Sequence, residues 1–227
     1  MSLALQFNNR LILPIGCSCI TSFELNNAPV FAGADHDAHF FDWMIATPDS
    51  TCDLLDNLTP FIHSIDDFRL HGQRIKSRKF PGLYFWHILH EGANVTLFDN
   101  LDPLEAQFSS VSNKYNYMIK KLAAVNQDTC CIWTNIQPNL KGAVENTGMD
   151  WADFVLTQSR YERLKRSLRR IAPHRSQNIF FVCRAEDVAE SLAGCEDVYI
   201  LDVGRGPAVT IGPDRFGPVF SRIAAMA

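Results

Sequence analysis

The apolar positions of this chain fall into short continuous runs separated by amphipathic stretches. Leu11-Ile-Leu-Pro-Ile15 is one such run, ended by Gly16. Thr129-Cys-Cys-Ile-Trp133, Asn178-Ile-Phe-Phe-Val182 and Asp197-Val-Tyr-Ile-Leu-Asp202 are others. Gly82-Leu-Tyr-Phe-Trp-His-Ile-Leu89 is a further strand candidate, rich in aromatics. Continuous runs, unlike alternating ones, are what strands of a parallel sheet covered on both faces require. Helical spacing predicts helices over Ser18 to Leu25, Pro48 to Leu58, Leu104 to Val125, Asp153 to Ile171, Ala185 to Leu192 and Pro213 to Met226. Asn26 to Asp42 reads as a loop, and residues 60 to 82 as irregular and basic. From residue 114 onward helix and strand alternate, so the expected fold is α/β: one domain over 1–227, a three-layer, doubly wound, mostly parallel sheet of about five strands. A papain-like α+β fold is the alternative.

Composition adds limits. The chain has 227 residues, 47% hydrophobic and 20% charged, an ordinary globular balance. A net charge of −4 and a pI near 5.9 argue against nucleic acid and anionic membrane as partners. No apolar run approaches the roughly 20 residues of a membrane helix, and Met1 to Leu13 lacks a secretory pattern. Seven cysteines without framework spacing predict a reduced, cytoplasmic protein. Oligomeric state is not readable.

Ligands of such sheets sit beyond the carboxyl ends of the strands. There the sequence places Gly16-Cys17-Ser18-Cys19, then His87 and His90, Asn135 and Gln137, Arg184, and Asp202 with Arg205. Cys19, at the expected start of a helix, is the candidate nucleophile. Free N–H groups and the helix dipole stabilise a thiolate there and can hold an oxyanion. Cys17 and Cys19 also fit as small residues filling a tight turn. His87 and His90 are candidate bases; three apart on a strand, they face opposite sides, so one of them faces the site. Asp42 and Asp214 are candidate orienting carboxylates, and Asp214 also fits a helix-capping role. Ser18, Asn135, Arg184 and Arg205 are candidate ligand-binding residues. His36-Asp-Ala-His39 with Asp42 resembles metal ligands but lacks a third ligand at a diagnostic spacing, so no metal and no cofactor are expected. The basic residues from Arg69 to Lys79 read as a solvated loop, and Arg160 to Arg170 as a polar helix face.

These residues resemble a bacterial papain-like cysteine peptidase family, formerly of unknown function. Its Gly-x-x-Cys element corresponds to Gly16-Cys17-Ser18-Cys19, its Asp-Trp element to Phe41-Asp42-Trp43, and its histidine to His87 or His90, with the aromatic context favouring His87. Lys114-Tyr115-Asn116 and Asp214 with Phe216 continue the order along nearly the whole chain. Tyr117, Met118 and Thr134-Asn135 stand where the family has basic residues, which bears on the ligand more than on the fold. The resemblance implies a thiol hydrolase or acyltransferase with Cys19 as nucleophile. A weaker similarity, to SGNH-type esterases, rests on Ser18 or Cys19, Asn135 and Asp214; the histidine expected after the acid is replaced by Arg215-Phe216-Gly217. The competing expectation is a non-catalytic binding module in which Asn135, Arg184 and Arg205 hold an anionic or sugar ligand. A small-molecule, peptide or glycan substrate fits either reading.

Overall fold

The structure is a computed structural model that describes residues 5–7, 10–17, 20–31, 40–89, 97–136, 149–202 and 213–226. Four of the expected strands form a parallel array. β2 (Arg10–Gly16) pairs with β7 (Thr129–Thr134), β7 with β8 (Gln177–Arg184), and β8 with β9 (Val198–Leu201). A short β1 (Leu5–Phe7) adds antiparallel to the outer edge of β2. Pro14 stands in β2 without disrupting this edge, because the β1 pairing reaches only Ile12 and the proline's missing N–H falls beyond it.

The continuous apolar runs are explained by burial on both faces. Ile12, Cys130, Ile132, Phe180, Val182 and Tyr199 face one way, against Leu25 of α1 (Ile20–Asn27) and Phe216, Phe220 and Ile223 of the closing helix α6 (Pro213–Met226). Their neighbours Leu11, Leu13, Ile15, Cys131, Trp133, Phe181 and Cys183 face the other way. That second face meets Leu54 and Leu55 of α2 (Pro48–Asp56), Tyr115 and Ile119 of α4 (Phe108–Ala123), and Leu164 and Leu168 of α5 (Gln158–Leu168). The one-turn α3 (Asp102–Ala106) leads into α4. In α4, Val111, Tyr115, Ile119 and Leu122 recur at helical spacing and are the buried stripe. α2 begins on Thr47, whose hydroxyl accepts from Ser50 N–H, with Pro48 in the first turn.

The α/β class stands. The sheet differs from the doubly wound expectation: its order β1-β2-β7-β8-β9 follows the chain without the reversal that a doubly wound sheet has at its switch point. The aromatic strand candidate is also reassigned. Only Leu83–Phe85 is a strand, β6, and it belongs to a second, antiparallel sheet of order β3-β6-β5-β4, with β3 (Met44–Ala46), β4 (Phe68–His71) and β5 (Arg74–Ser77).

The solvated, irregular reading of residues 60 to 82 is corrected by the same sheet. β4 and β5 form a hairpin through Gly72-Gln73, with Gly72 at φ 57°, a conformation that favours glycine. Arg74 and Lys76 are buried with their charged heads over aromatic rings: the Arg74 guanidinium lies 3.8 Å from the Trp86 ring centroid, the Lys76 ammonium 5.4 Å from that of Tyr84. Two helix readings also shift. Asp153 to Ile171 starts as a helix only at Gln158, because Leu156 bridges to Val188 and interrupts the turn before it. Ala185 to Leu192 is two short 3-10 turns, tied down by Leu156 N–H donating to the Asp187 carbonyl. The polar face of α5 is not simply solvated: Arg160 pairs with Asp49, and Arg163 with Asp49 and Asp53, across to α2.

Candidate functional site

The site is built from the end of β2. Gly16 closes the strand where nothing larger fits: a Cβ there would lie 2.6 Å from Thr21 Oγ1 and 3.0 Å from the Thr134 carbonyl oxygen. Cys17 continues the ladder, donating its N–H to Thr134 O at 2.8 Å and accepting from Ala46 N–H at 3.2 Å. Its side chain is fully buried in an aromatic cluster with Tyr84, Trp86, Met149 and Phe154. Cys17 therefore joins the parallel sheet to β3 of the small one. Ser18 and Cys19 lie outside the described residues, and α1 begins at Ile20.

The first turns of α1 carry two groups that bear on the chemistry. Ser22 donates its hydroxyl hydrogen to Asp42 Oδ1, which ties the helix to the 3-10 turn Phe40–Trp43. Asp42 is half-buried, two residues before Met44. Met44 pairs with Phe85, and His87, also half-buried, lies two residues beyond Phe85. Asp42 and His87 thus leave the β3–β6 pairing at the same end. Glu24, which sequence reasoning passed over, is only 3% exposed, and burial pushes its carboxyl up to about 7. Its signal was present: Thr21, Leu25 and Ala28 are the buried stripe of that segment, and Glu24 sits on it.

Asn135 and Arg184 stand where the sequence put them, at the ends of β7 and β8, and both are interior. Asn135 is 0% exposed. Its Nδ2 donates to the carbonyls of Phe154 (3.2 Å) and Asp187 (2.7 Å), and its Oδ1 accepts from Arg184 N–H (3.1 Å). Both donors are taken up by backbone, so Asn135 works as a bracket among three loops. Arg184, 1% exposed, has Nε 3.6 Å from Asp187 Oδ2 and its guanidinium 6.0 Å from the Trp151 ring centroid. His90, Arg205, His36 and His39 lie outside the described residues, as does the side chain of Asp214 in the first turn of α6.

Four buried cysteines are poor nucleophiles. Burial pushes the thiol of Cys52 up to about 11 and that of Cys131 up to about 12, and it raises those of Cys130 and Cys183 as well. Cys195 is half-buried. Among the described residues, no group of three or more His, Cys, Asp or Glu side chains is placed to hold a metal ion, and no helix is long and apolar enough to cross a membrane. No family model, curated protein or solved structure matches the chain.

Proposed function

We propose that this chain is a cysteine-dependent hydrolase or acyltransferase, peptidase-like in its chemistry, with Cys19 as nucleophile, His87 as base and Asp42 as the carboxylate that orients it. The observation that carries this reading is the tie between Ser22 and Asp42: it draws the first turns of α1, which begins one residue after Cys19, to the end of the β3–β6 pair that leads into His87. A nucleophile, a base and an orienting acid drawn together by their elements are what thiol catalysis needs. The resemblance to the papain-like cysteine peptidase family points to the same residues, with His90 as the other choice of base and Asp214 as the other acid.

In the proposed step the Cys19 thiol loses its proton to the imidazole and the thiolate sulfur attacks a carbonyl carbon. The N–H groups at the start of α1 hold the oxyanion. The leaving group departs with the proton from the imidazole, giving a thioester that water or another acceptor then cleaves. The substrate, a small molecule, peptide or glycan derivative, needs only an acyl group with a departing oxygen or nitrogen. Reduced cysteines suit the cytoplasm, the compartment this reading assigns. The five-stranded sheet with helices against each face is read as three-layered. The non-catalytic alternative has less support, because both donors of Asn135, one of its ligand-holding residues, are engaged by backbone.

The test is alkylation by iodoacetamide near neutral pH, followed residue by residue by mass spectrometry, with half-buried Cys195 as the internal reference. Cys19 is expected to react at least about tenfold faster than Cys195, as a thiolate stabilised at a helix start does. With p-nitrophenyl acetate, the native chain is expected to give an acylation burst that Cys19→Ala lacks. Equal labelling of the two thiols, or a burst that survives Cys19→Ala, overturns the proposal.

A further inference from the structure

A cleft of about 510 Å³ opens on the small sheet, between β5, β6 and the start of α2. Three aspartates reach it, and each is already engaged. Asp49 accepts from Arg160 Nε at 3.0 Å and from Arg163; Asp53 accepts from Arg163; Asp153 caps the turn that begins at Asp150, accepting its N–H at 2.9 Å. The cation of the cleft is not. Lys76 is 6% exposed, yet its ammonium makes no hydrogen bond and no ion pair among the described residues; it faces only the Tyr84 ring. Its partner across the hairpin is Arg69, a like charge directly opposite, which disfavours the pair. Burial and Arg69 together lower the lysine's proton affinity. An ammonium lining a cleft beside a second cation, with no ion pair of its own among the described residues, is a charge that a ligand can compensate.

We propose that this cleft is a binding site for the carboxylate of a small organic molecule, held by Lys76. One uncommitted cation balances the single negative charge of a carboxylate. Hydroxyl hydrogens are available beside it. Ser50 Oγ accepts from Gly82 N–H at 2.8 Å and Thr47 Oγ1 accepts from Ser50 N–H at 3.3 Å, which leaves each O–H to donate. Pro81 and Met149 give the organic part of the ligand an apolar wall. Occupancy of the cleft is read by binding alone, whether or not the Cys19 thiol reacts.

The experiment titrates sodium benzoate, and separately inorganic phosphate, into the isotopically labelled chain at constant ionic strength, following backbone amide shifts by NMR. Benzoate is expected to give saturable shifts confined to Thr47, Ser50, Lys76 and Gly82, with half-saturation in about the millimolar range, as suits one charged contact in a small site. Lys76→Met keeps the apolar stem on Tyr84 and removes the charge; its affinity for benzoate is expected to drop at least about tenfold. The wild-type shift map decides the question even if the variant folds poorly. Absence of saturable shifts in the cleft, tighter binding of phosphate than of benzoate, or unchanged affinity in a folded Lys76→Met protein overturns the proposal.

Discussion

Replacing Glu24 by glutamine isolates the charge of a single buried carboxyl. Glu24 lies on the inward face of α1 with 3% of its surface exposed, and it makes no hydrogen bond or ion pair among the described residues. Burial therefore acts alone, raising the folded-state value from 4.5 to about 7. The folded chain holds this proton more tightly than the unfolded chain. Between these two values the folded state is protonated while the unfolded state is not, so stability falls as pH rises through the window and levels off above about 7. At about 1.4 kcal/mol for each pH unit, the full difference is roughly 3 kcal/mol. Glutamine mimics the neutral acid, has nearly the same helix propensity and does not titrate. Glu24→Gln should match the native chain at about pH 4.5 and exceed it by about 2–3 kcal/mol at about pH 8. Urea unfolding followed by far-UV circular dichroism at both pH values measures this difference. A gap between variant and native chain that is the same at both pH values, or a variant less stable at the higher one, refutes the assignment of Glu24 as a buried, uncompensated carboxyl.

Two further substitutions probe the frame around the proposed site. Gly16→Ala places a methyl group 2.6 Å from Thr21 Oγ1 and 3.0 Å from a backbone carbonyl, and should cost about 1–3 kcal/mol as overpacking does; an unchanged thermal midpoint would show that the turn can open. Asn135→Ala strips hydrogen bonds from Arg184 N–H and from the carbonyls of Phe154 and Asp187, all in the interior, and should cost about 2–4 kcal/mol in urea titration; a loss below about 1 kcal/mol would mean that water replaces the bracket.

The parts of the fold that were legible carry their cause locally. Leu11–Ile15, Thr129–Trp133 and Asn178–Val182 are apolar at every position because the sheet is covered on both faces, and the chain itself states that condition. The hairpin Phe68–Ser77 hides its cause. Arg74 and Lys76 read as solvent-facing charges, yet their charged heads lie over the rings of Trp86 and Tyr84, which β6 and the residue after it bring over. The site divides in the same way. The proposed nucleophile Cys19 rests on a local pattern, a cysteine between a glycine-ended strand and the start of a helix. The approach of Asp42 to Ser22, and the common end that Asp42 and His87 share, depend on β3 pairing with a strand about forty residues further on, for which neither three-residue segment offers a periodic signal. Strand order is the least local property of all. Alternating helix and strand suits a sheet that reverses as well as one that runs straight, and the doubly wound expectation assumed the reversal. Here each parallel strand adds beside its predecessor, from β2 through β9, so no switch-point crevice arises from the order itself. The place of a site then depends on what else converges on the strand ends. At β2 that is β3, which donates the Ala46 N–H to Cys17 O and brings the small sheet, with His87 beyond its β6 strand, to the end of β2.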